Sequence, residues 1–103
     1  MDFSEKVYAI VKRIPKGKIS TYKDIGIALH TKAYRSIGSV LKRNPNAPHV
    51  PCHRVVASDG SIGGYMGMKS GKNIKTKIAM LQKEGITIKN NKIFDFKNVK
   101  IKF

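Results

Sequence analysis

Apolar side chains recur at helical spacing near the start of the chain. Asp2 or Ser4 could cap the beginning of this segment, and Pro15 with Gly17 would end it. The spacing predicts an amphipathic helix with one apolar face. The members of that face are Phe3, Val7, Ile10, Val11 and Ile14.

Two more short helices are predicted next. The first opens with a capping-box pattern at Thr21 and runs to about Leu29. The second has an apolar face and an otherwise polar and basic surface. Its apolar positions are Ile37, Val40 and Leu41, and its other surface carries Arg35, Ser36, Ser39, Lys42 and Arg43. Two short helices joined by a tight turn, the second one basic, are the outline of a DNA-binding helix-turn-helix, although an ordinary helical hairpin shares this outline.

The segment 44–56 contains Pro45, Pro48 and Pro51 and cannot be helical throughout, because proline lacks the backbone donor and clashes with the preceding turn. It is predicted to be an ordered loop leading into Cys52. Beyond it, residues 55–57 and 61–62 could form a small hairpin. Several glycines follow that would let the backbone approach a ligand closely. They are Gly60, Gly63, Gly64 and Gly67.

A fourth helix is predicted with Asn73 as its cap and Gly85 at its end, because apolar residues repeat at helical spacing between them. A terminal hairpin should follow, turning at Asn90-Asn91 and including Phe96. The fold class is therefore mainly α with minor β. We expect one winged-helix-like helix-turn-helix domain over residues 1–103, with a C-terminal helix and a small hairpin.

The net charge of the chain is the main evidence about its partner. The chain has 21 Lys and Arg against 6 Asp and Glu, a formal net charge of +15. This balance favours a nucleic-acid partner, although lysines can also simply solvate a surface. All four arginines lie within the first 54 residues, so we expect the contact to centre there. No long apolar run or secretory pattern is present, which predicts a cytoplasmic monomer, nucleoid-associated in a prokaryote, without membrane contact.

Cys52 is the single cysteine, and it lies beside His53 and Arg54. A thiolate is the reactive form of cysteine, and the positive charge of Arg54 should favour it. Adjacent side chains do not normally face each other, so we expect a water or a third residue to relay a proton between Cys52 and His53. An inert, buried cysteine is the alternative. His49 and His30 do not complete a typical zinc site, and we expect neither a metal nor a cofactor.

The chain resembles the active-site domain of O6-alkylguanine-DNA alkyltransferases from about Phe3 to Ile88. The resemblance is carried by the run Pro51-Cys52-His53-Arg54-Val55, with Asn44-Pro45 before it and Lys83-Glu84-Gly85 after it. Tyr22 and Arg35 match as well. It is this ordered set, rather than the cysteine run alone, that makes the resemblance specific.

The resemblance implies a single-turnover DNA-repair methyltransferase. The helix-turn-helix would enter the minor groove of double-stranded DNA, and Arg35 would fill the place of a flipped-out alkylguanine. Cys52 would then attack the alkyl carbon, with His53 as base through water and Glu84 orienting His53. Tyr22 would donate a hydrogen bond to the departing guanine. The thioether formed on the protein would be irreversible.

The same resemblance assigns the remaining site residues. Asn44 would hold the turn before the cysteine loop, and Val55, Tyr65 and Met66 would line the guanine pocket with their backbone. The other predicted DNA contacts are Lys23, Ser36, Ser58 and Arg54.

Two departures from the family leave questions open. The N-terminal domain of larger members is expected to be absent. The lysine-rich loop from Tyr65 to Asn73 has Met66 where members often have a small residue, so the range of alkyl groups is not fixed. Two alternative functions also stay open: an alkyltransferase-like protein that binds lesions without transfer, and a basic helix-turn-helix regulator with an inert cysteine.

Overall fold

A computed structural model describes residues 1–67 and 71–103. Within these residues it is mainly helical with short strands, which confirms the predicted fold class. In chain order the elements are α1 (Phe3–Val11), β1 (Ser20–Thr21), α2 (Tyr22–Ala28), α3 (Tyr34–Lys42), a 3-10 helix (Cys52–Arg54), β2 (Val55–Val56), α4 (Lys72–Lys83), β3 (Ile88–Lys89), β4 (Lys92–Ile93) and α5 (Phe96–Val99).

Helix α1 begins as its sequence pattern predicts, but Phe3 of the predicted apolar face is exposed. The Asp2 carboxylate accepts a hydrogen bond from the backbone N–H of Glu5 at 2.9 Å, which satisfies a free donor of the first turn. Val7 and Val11 are fully buried. The helix ends at Val11, and Ile14 joins the core from the turn that follows.

Helices α2 and α3 form the predicted helix-turn-helix. The Thr21 hydroxyl accepts from the backbone N–H of Asp24 at 3.0 Å and so caps α2. A Cβ added at Gly26 would lie 2.5 Å from the Tyr34 ring and 2.8 Å from the Thr31 carbonyl oxygen. Only a glycine therefore allows α3 to pack this closely on α2. On α3, Ile37, Val40 and Leu41 are buried as the apolar face predicts.

The hairpin expected over residues 55–62 is wrong. Strand β2 pairs in parallel with β1 instead, with Ser20 opposite Val55 and Thr21 opposite Val56. Both valines of β2 are fully buried, which suits a buried parallel pair better than a half-exposed hairpin arm. Locally the chain forms a turn, held by hydrogen bonds from the Ala57 N–H to the Ser61 carbonyl and from the Gly60 N–H to the Ala57 carbonyl.

The C-terminal elements follow the prediction with two changes. Helix α4 is preceded by Gly71, whose φ is +84°, so the predicted cap Asn73 lies inside the first turn. The helix stops before Gly85, whose φ of +90° a side chain would resist. Strands β3 and β4 form the predicted terminal hairpin, but Phe96 begins α5 rather than extending the strand.

Two further observations concern the described residues only. None of their helices is long and apolar enough to cross a membrane. The predicted loop from Tyr65 to Asn73 lies partly outside them, because residues 68–70 are not described.

Candidate functional site

Cys52 lies at the first residue of the 3-10 helix that ends the proline-containing loop. Its backbone N–H donates to the Val50 carbonyl at 2.8 Å, and only 6% of its surface is exposed. It nevertheless lines a cavity of about 570 Å³. The other residues around that cavity are Tyr22, Tyr34, Arg35, Gly38, Ser39, Leu41, Lys42, Gly64, Tyr65, Met66 and Gly67. The thiol is thus shielded from bulk solvent but accessible from a space bounded by both helices of the helix-turn-helix.

Asn44 holds the loop that carries the cysteine. Its amide nitrogen donates to the Val50 carbonyl at 2.8 Å, and its amide oxygen accepts from the Asn46 N–H at 3.0 Å. Its side chain also acts to lower the pKa of the Cys52 thiol, against the larger effect of burial. One buried asparagine therefore joins the end of α3 to the loop that carries Cys52.

His53, Arg54 and Glu84 form a second connected group below the cysteine. The Glu84 carboxylate lies 3.0 Å from His53 Nε2, and it accepts two hydrogen bonds from Arg54, at 2.9 Å and 2.8 Å. A third Arg54 nitrogen donates to the Ile14 carbonyl at 2.8 Å. The Arg54 guanidinium is therefore used inside the protein, so the expectation that Arg54 contacts DNA is not supported by its placement.

The protonation of His53 follows from these contacts. Burial lowers its pKa, and this outweighs the opposite effect of Glu84, so the ring is neutral at pH 7. The Glu84 carboxylate can only accept, so Nε2 carries the ring proton and Nδ1 is the free base. Nδ1 is buried and has no hydrogen-bond partner among the described residues. That atom is available to take a proton.

Lys77 is a functional residue that the sequence analysis missed. It lies on α4, is fully buried, and donates from Nζ to the carbonyls of Val55 at 2.8 Å, Ile62 at 2.5 Å and Gly64 at 2.9 Å. These carbonyls belong to the strand after the cysteine and to the loop that lines the cavity. Burial lowers the pKa of Lys77 to about 7, against an opposing effect of Cys52. In the sequence, the signal for its burial was a lysine at helical spacing between Ile74 and Leu81, on the apolar face of the predicted helix.

The electrostatics of Cys52 differ from the sequence-based expectation. Burial raises the pKa of the thiol above its ordinary value, although Asn44 and Lys77 act to lower it. Arg54, which we expected to favour the thiolate, is neutralised by Glu84 instead. At neutral pH the resting sulfur is therefore protonated and needs a base when it reacts.

Tyr22, Arg35, Tyr65 and Met66 all meet at the cavity with Cys52. Burial raises the pKa of Tyr22, with a smaller effect of Cys52, so its phenol keeps its proton and can donate. Gly63 has φ at +72°, and a Cβ added there would lie 3.7 Å from the Tyr22 hydroxyl, an ordinary contact distance. The cavity thus combines a thiol, a hydroxyl donor and an exposed cationic side chain on α3.

The remaining predicted residues do not line the cavity. Val55 is fully buried, its N–H bonds the Cys52 carbonyl, and its own carbonyl accepts from Lys77, so the expected pocket role is not supported. Lys23, Ser36 and Ser58 are exposed on α2, on α3 and in the loop after β2.

Residues 2–86 match the family described as 6-O-methylguanine DNA methyltransferase, DNA binding domain. The chain belongs to this family. Among its relatives is a methylated-DNA--protein-cysteine methyltransferase of Saccharolobus islandicus, 43% identical over 86 residues, which cover 84% of this chain and 52% of the relative.

Solved structures of the family agree. The O6-methylguanine-DNA methyltransferase of Pyrococcus kodakaraensis has a TM-score of 0.70 and 42% identity, covering 82% of this chain and 47% of that one. Atl1 of S. pombe, solved with damaged DNA containing O6-carboxymethylguanine, has a TM-score of 0.80 and 28% identity, covering 98% of this chain and 95% of that one. The chain spans about half the length of the S. islandicus relative, and 30% of a bifunctional methyltransferase/endonuclease of Picrophilus torridus.

Proposed function

We propose that this protein repairs DNA by moving an alkyl group from O6 of guanine to Cys52, once per molecule. The observation that carries the proposal is the placement of the only cysteine in a cavity bounded by the helix-turn-helix. A methylated-DNA--protein-cysteine methyltransferase activity is the known activity that fits such a thiol. We propose a cytoplasmic location and action as a monomer.

The sulfur is activated by its neighbours. His53 Nδ1, left unprotonated by the Nε2–Glu84 hydrogen bond, takes the thiol proton through a water molecule. The thiolate attacks the alkyl carbon, a C–S bond forms and the C–O6 bond breaks. Lys77 favours the thiolate by its charge, because Cys52 and Lys77 each shift the pKa of the other toward the charged form.

The leaving guanine takes the electron pair of the broken bond, and the proton that His53 took from the thiol passes through water to the base and neutralises it. Tyr22, with its phenol protonated in the cavity, donates a hydrogen bond to the base as negative charge develops. The product is a thioether on Cys52. With one cysteine in the chain, no second thiol is available within it to regenerate the first, so transfer is stoichiometric.

The DNA must give up its base pair for this reaction. Cys52 is 6% exposed and lines the cavity, so a stacked guanine cannot reach its sulfur. Helix α3 would enter the minor groove of double-stranded DNA, and Arg35 would fill the space left by the flipped base. Lys23, Ser36 and Ser58, all exposed, are proposed phosphate contacts.

A second candidate is lesion binding without transfer. The Atl1 structure supports it, because nearly the full length of that chain is matched by this one. The presence of a cavity-lining cysteine favours transfer over binding alone. A basic helix-turn-helix regulator explains the charge but gives no role to the cavity.

The intact mass of the protein separates these functions. After incubation with duplex DNA containing O6-methylguanine, transfer adds the mass of one CH2 group, located on Cys52, and Cys52→Ala gains nothing while still binding the lesion. An unchanged mass together with tight lesion binding would select the Atl1-like function. Equal affinity for damaged and undamaged duplex would select the regulator.

The flipping step has its own test. Arg35→Ala should slow transfer from duplex DNA more than transfer from single-stranded DNA, since only the duplex must lose a base pair. Arg43→Ala, at the C-terminal cap of the same helix, is the matched control. An equal loss on both substrates would remove Arg35 from the flipping step.

A further inference from the structure

The cavity wall carries a cation that the proposed function does not use. Of the described residues that line it, only Arg35 and Lys42 are charged, and none carries a carboxylate. In the proposed function, Arg35 fills the space that the flipped base leaves in the DNA stack. Lys42 stands in the last turn of α3 and makes no ion pair with any described residue.

The stem of Lys42 is held against the opposite wall of the cavity. A Cβ added at Gly67 would lie 2.8 Å from Lys42 Cε, 3.1 Å from Cγ and 3.2 Å from Cδ. The lysine therefore bridges from α3 to the loop that carries Tyr65 and Met66. Gly67, with φ at +83°, leaves room for this contact. Lys42 is exposed to solvent, but its stem lies against Gly67, so the lysine borders the cavity from α3.

The size of the cavity matters as well. About 570 Å³ lies within the range that accommodates whole drug-sized ligands, so a purine with a substituent larger than methyl has room. A substituent in this cavity would face the cationic side chains of Arg35 and Lys42, with no acidic side chain among the described lining residues. An anionic substituent gains from this field, and a neutral one of the same shape does not.

The geometry points to Lys42 as a specificity-determining residue that favours O6-alkylguanines whose alkyl group ends in a carboxylate. This inference rests on the proposed function and adds a substrate class to it. In the reaction, the Cys52 sulfur bonds to the CH2 carbon of the substituent, the CH2–O6 bond breaks, and guanine leaves with that electron pair and the thiol proton. The carboxylate stays on the protein as S-carboxymethylcysteine.

The test compares two adducts of equal shape. Second-order transfer rates would be measured on duplex DNA with O6-carboxymethylguanine and with its neutral amide, O6-carbamoylmethylguanine. The readout is the ratio of the two rates, which cancels changes in DNA affinity. Lys42→Met should lower this ratio about two- to fivefold, the size of a partly exposed ion pair, and Lys42→Glu should lower it further.

Lys32→Met is the matched control, because Lys32 is an exposed lysine just before α3 that does not line the cavity. It should leave the ratio unchanged even if it weakens DNA binding. A ratio that stays the same in both Lys42 variants overturns the inference, and so does a wild-type protein that transfers methyl but neither larger group. A wild-type protein that transfers no group at all, methyl included, overturns the proposed function itself.

Discussion

The pKa of the Cys52 thiol depends in part on one buried lysine, Lys77. Lys77 donates to three carbonyls of the segments around the cavity and lowers the pKa of Cys52. Because Lys77 is buried, solvent and salt screen its charge little. The charge therefore acts on the Cys52 sulfur. The residue therefore has two separable roles, to hold the cavity wall and to favour the thiolate.

We expect Lys77→Met to move the pH–rate profile of transfer to higher pH. Loss of a positive charge raises the pKa of the thiol, so less thiolate forms at a given pH. The midpoint should rise, and transfer near neutrality should be slower by at most roughly tenfold, because only part of the Lys77 population is protonated there. Stopped samples from pH 6 to 10 would give the midpoint, which does not depend on the folded fraction.

Lys75→Met is the control, since it removes an exposed lysine from the same helix. Lys77→Arg should restore part of the shift by restoring the charge. A midpoint identical in Lys77→Met and wild type would show that Lys77 has only a structural role.

Glu84 links folding stability to pH. Burial raises its pKa, but hydrogen bonds from Arg54 and His53 outweigh this and leave the pKa below its ordinary value. Its stabilising effect is thus present above the pKa of the unfolded chain and is lost as pH falls through the lower, folded value. Glu84→Gln should reduce the free energy of unfolding at pH 7 by about 1.5 to 3 kcal/mol.

Urea unfolding at pH 7 and in mild acid would check this. The difference between wild type and Glu84→Gln should shrink as the pH drops below the ordinary glutamate range. Glu5→Gln, an exposed carboxylate on α1, serves as control and should show a smaller difference. A Glu84 difference that is constant with pH would contradict the assignment.

At the level of elements, the packing of α2 on α3 depends on one missing side chain. An alanine inside a helix is normally more stable than a glycine. At Gly26 the added Cβ would meet the backbone of Thr31 at 2.8 Å, and backbone cannot swing aside. We expect Gly26→Ala to destabilise the protein by roughly 1 to 3 kcal/mol.

Gly38→Ala is the matched control, because it lies in α3 and nothing is within 4 Å of its added Cβ. It should stabilise the protein by about 0.5 to 1 kcal/mol. Thermal unfolding would measure both variants. Stabilisation of both to the same extent would mean that the two helices have room to separate.

The helices and their caps were predictable because each depends on residues within one or two turns. Asp2, Thr21 and Gly85 act on neighbouring backbone, so their pattern is visible in the sequence. The pairing of β1 with β2 was not, because it joins segments far apart in the chain. A local hairpin was the wrong prediction for that reason.

The candidate site also contains residues that could be predicted from the sequence and residues that could not. Its cysteine run and Glu84 were recognisable by resemblance, and Tyr22, Arg35, Tyr65 and Met66 do line one cavity with Cys52. The roles of Lys77 and Arg54 depend on partners from other elements. A lysine on an apolar helix face and an arginine next to a cysteine each have several possible partners, and only the fold selects one.

For the whole molecule, net charge sets how binding responds to salt. With +15 charges, affinity for duplex DNA should fall steeply as salt rises, by a slope of about 0.9 per phosphate contact in a double-logarithmic plot. Lys23→Ala should reduce that slope by about one. Fluorescence anisotropy at several salt concentrations would measure it.

Lys83→Ala tests where the contact is centred. Lys83 is exposed at the end of α4 and does not line the cavity. The slope should not change if DNA binds mainly to the first half of the chain. An equal reduction in both variants would indicate that DNA covers α4 as well.

The contacts of Lys77 would also change after the proposed transfer. A thioether cannot ionise at any pH, whereas the thiol of the fresh protein can do so above its raised pKa, so only the fresh protein can offer this lysine an anion. As the pH rises, the amine of the used protein should then lose its proton more readily and hold its three carbonyls less firmly. Fresh and used copies would thus differ in the rigidity of the cavity wall as well as in one alkyl group.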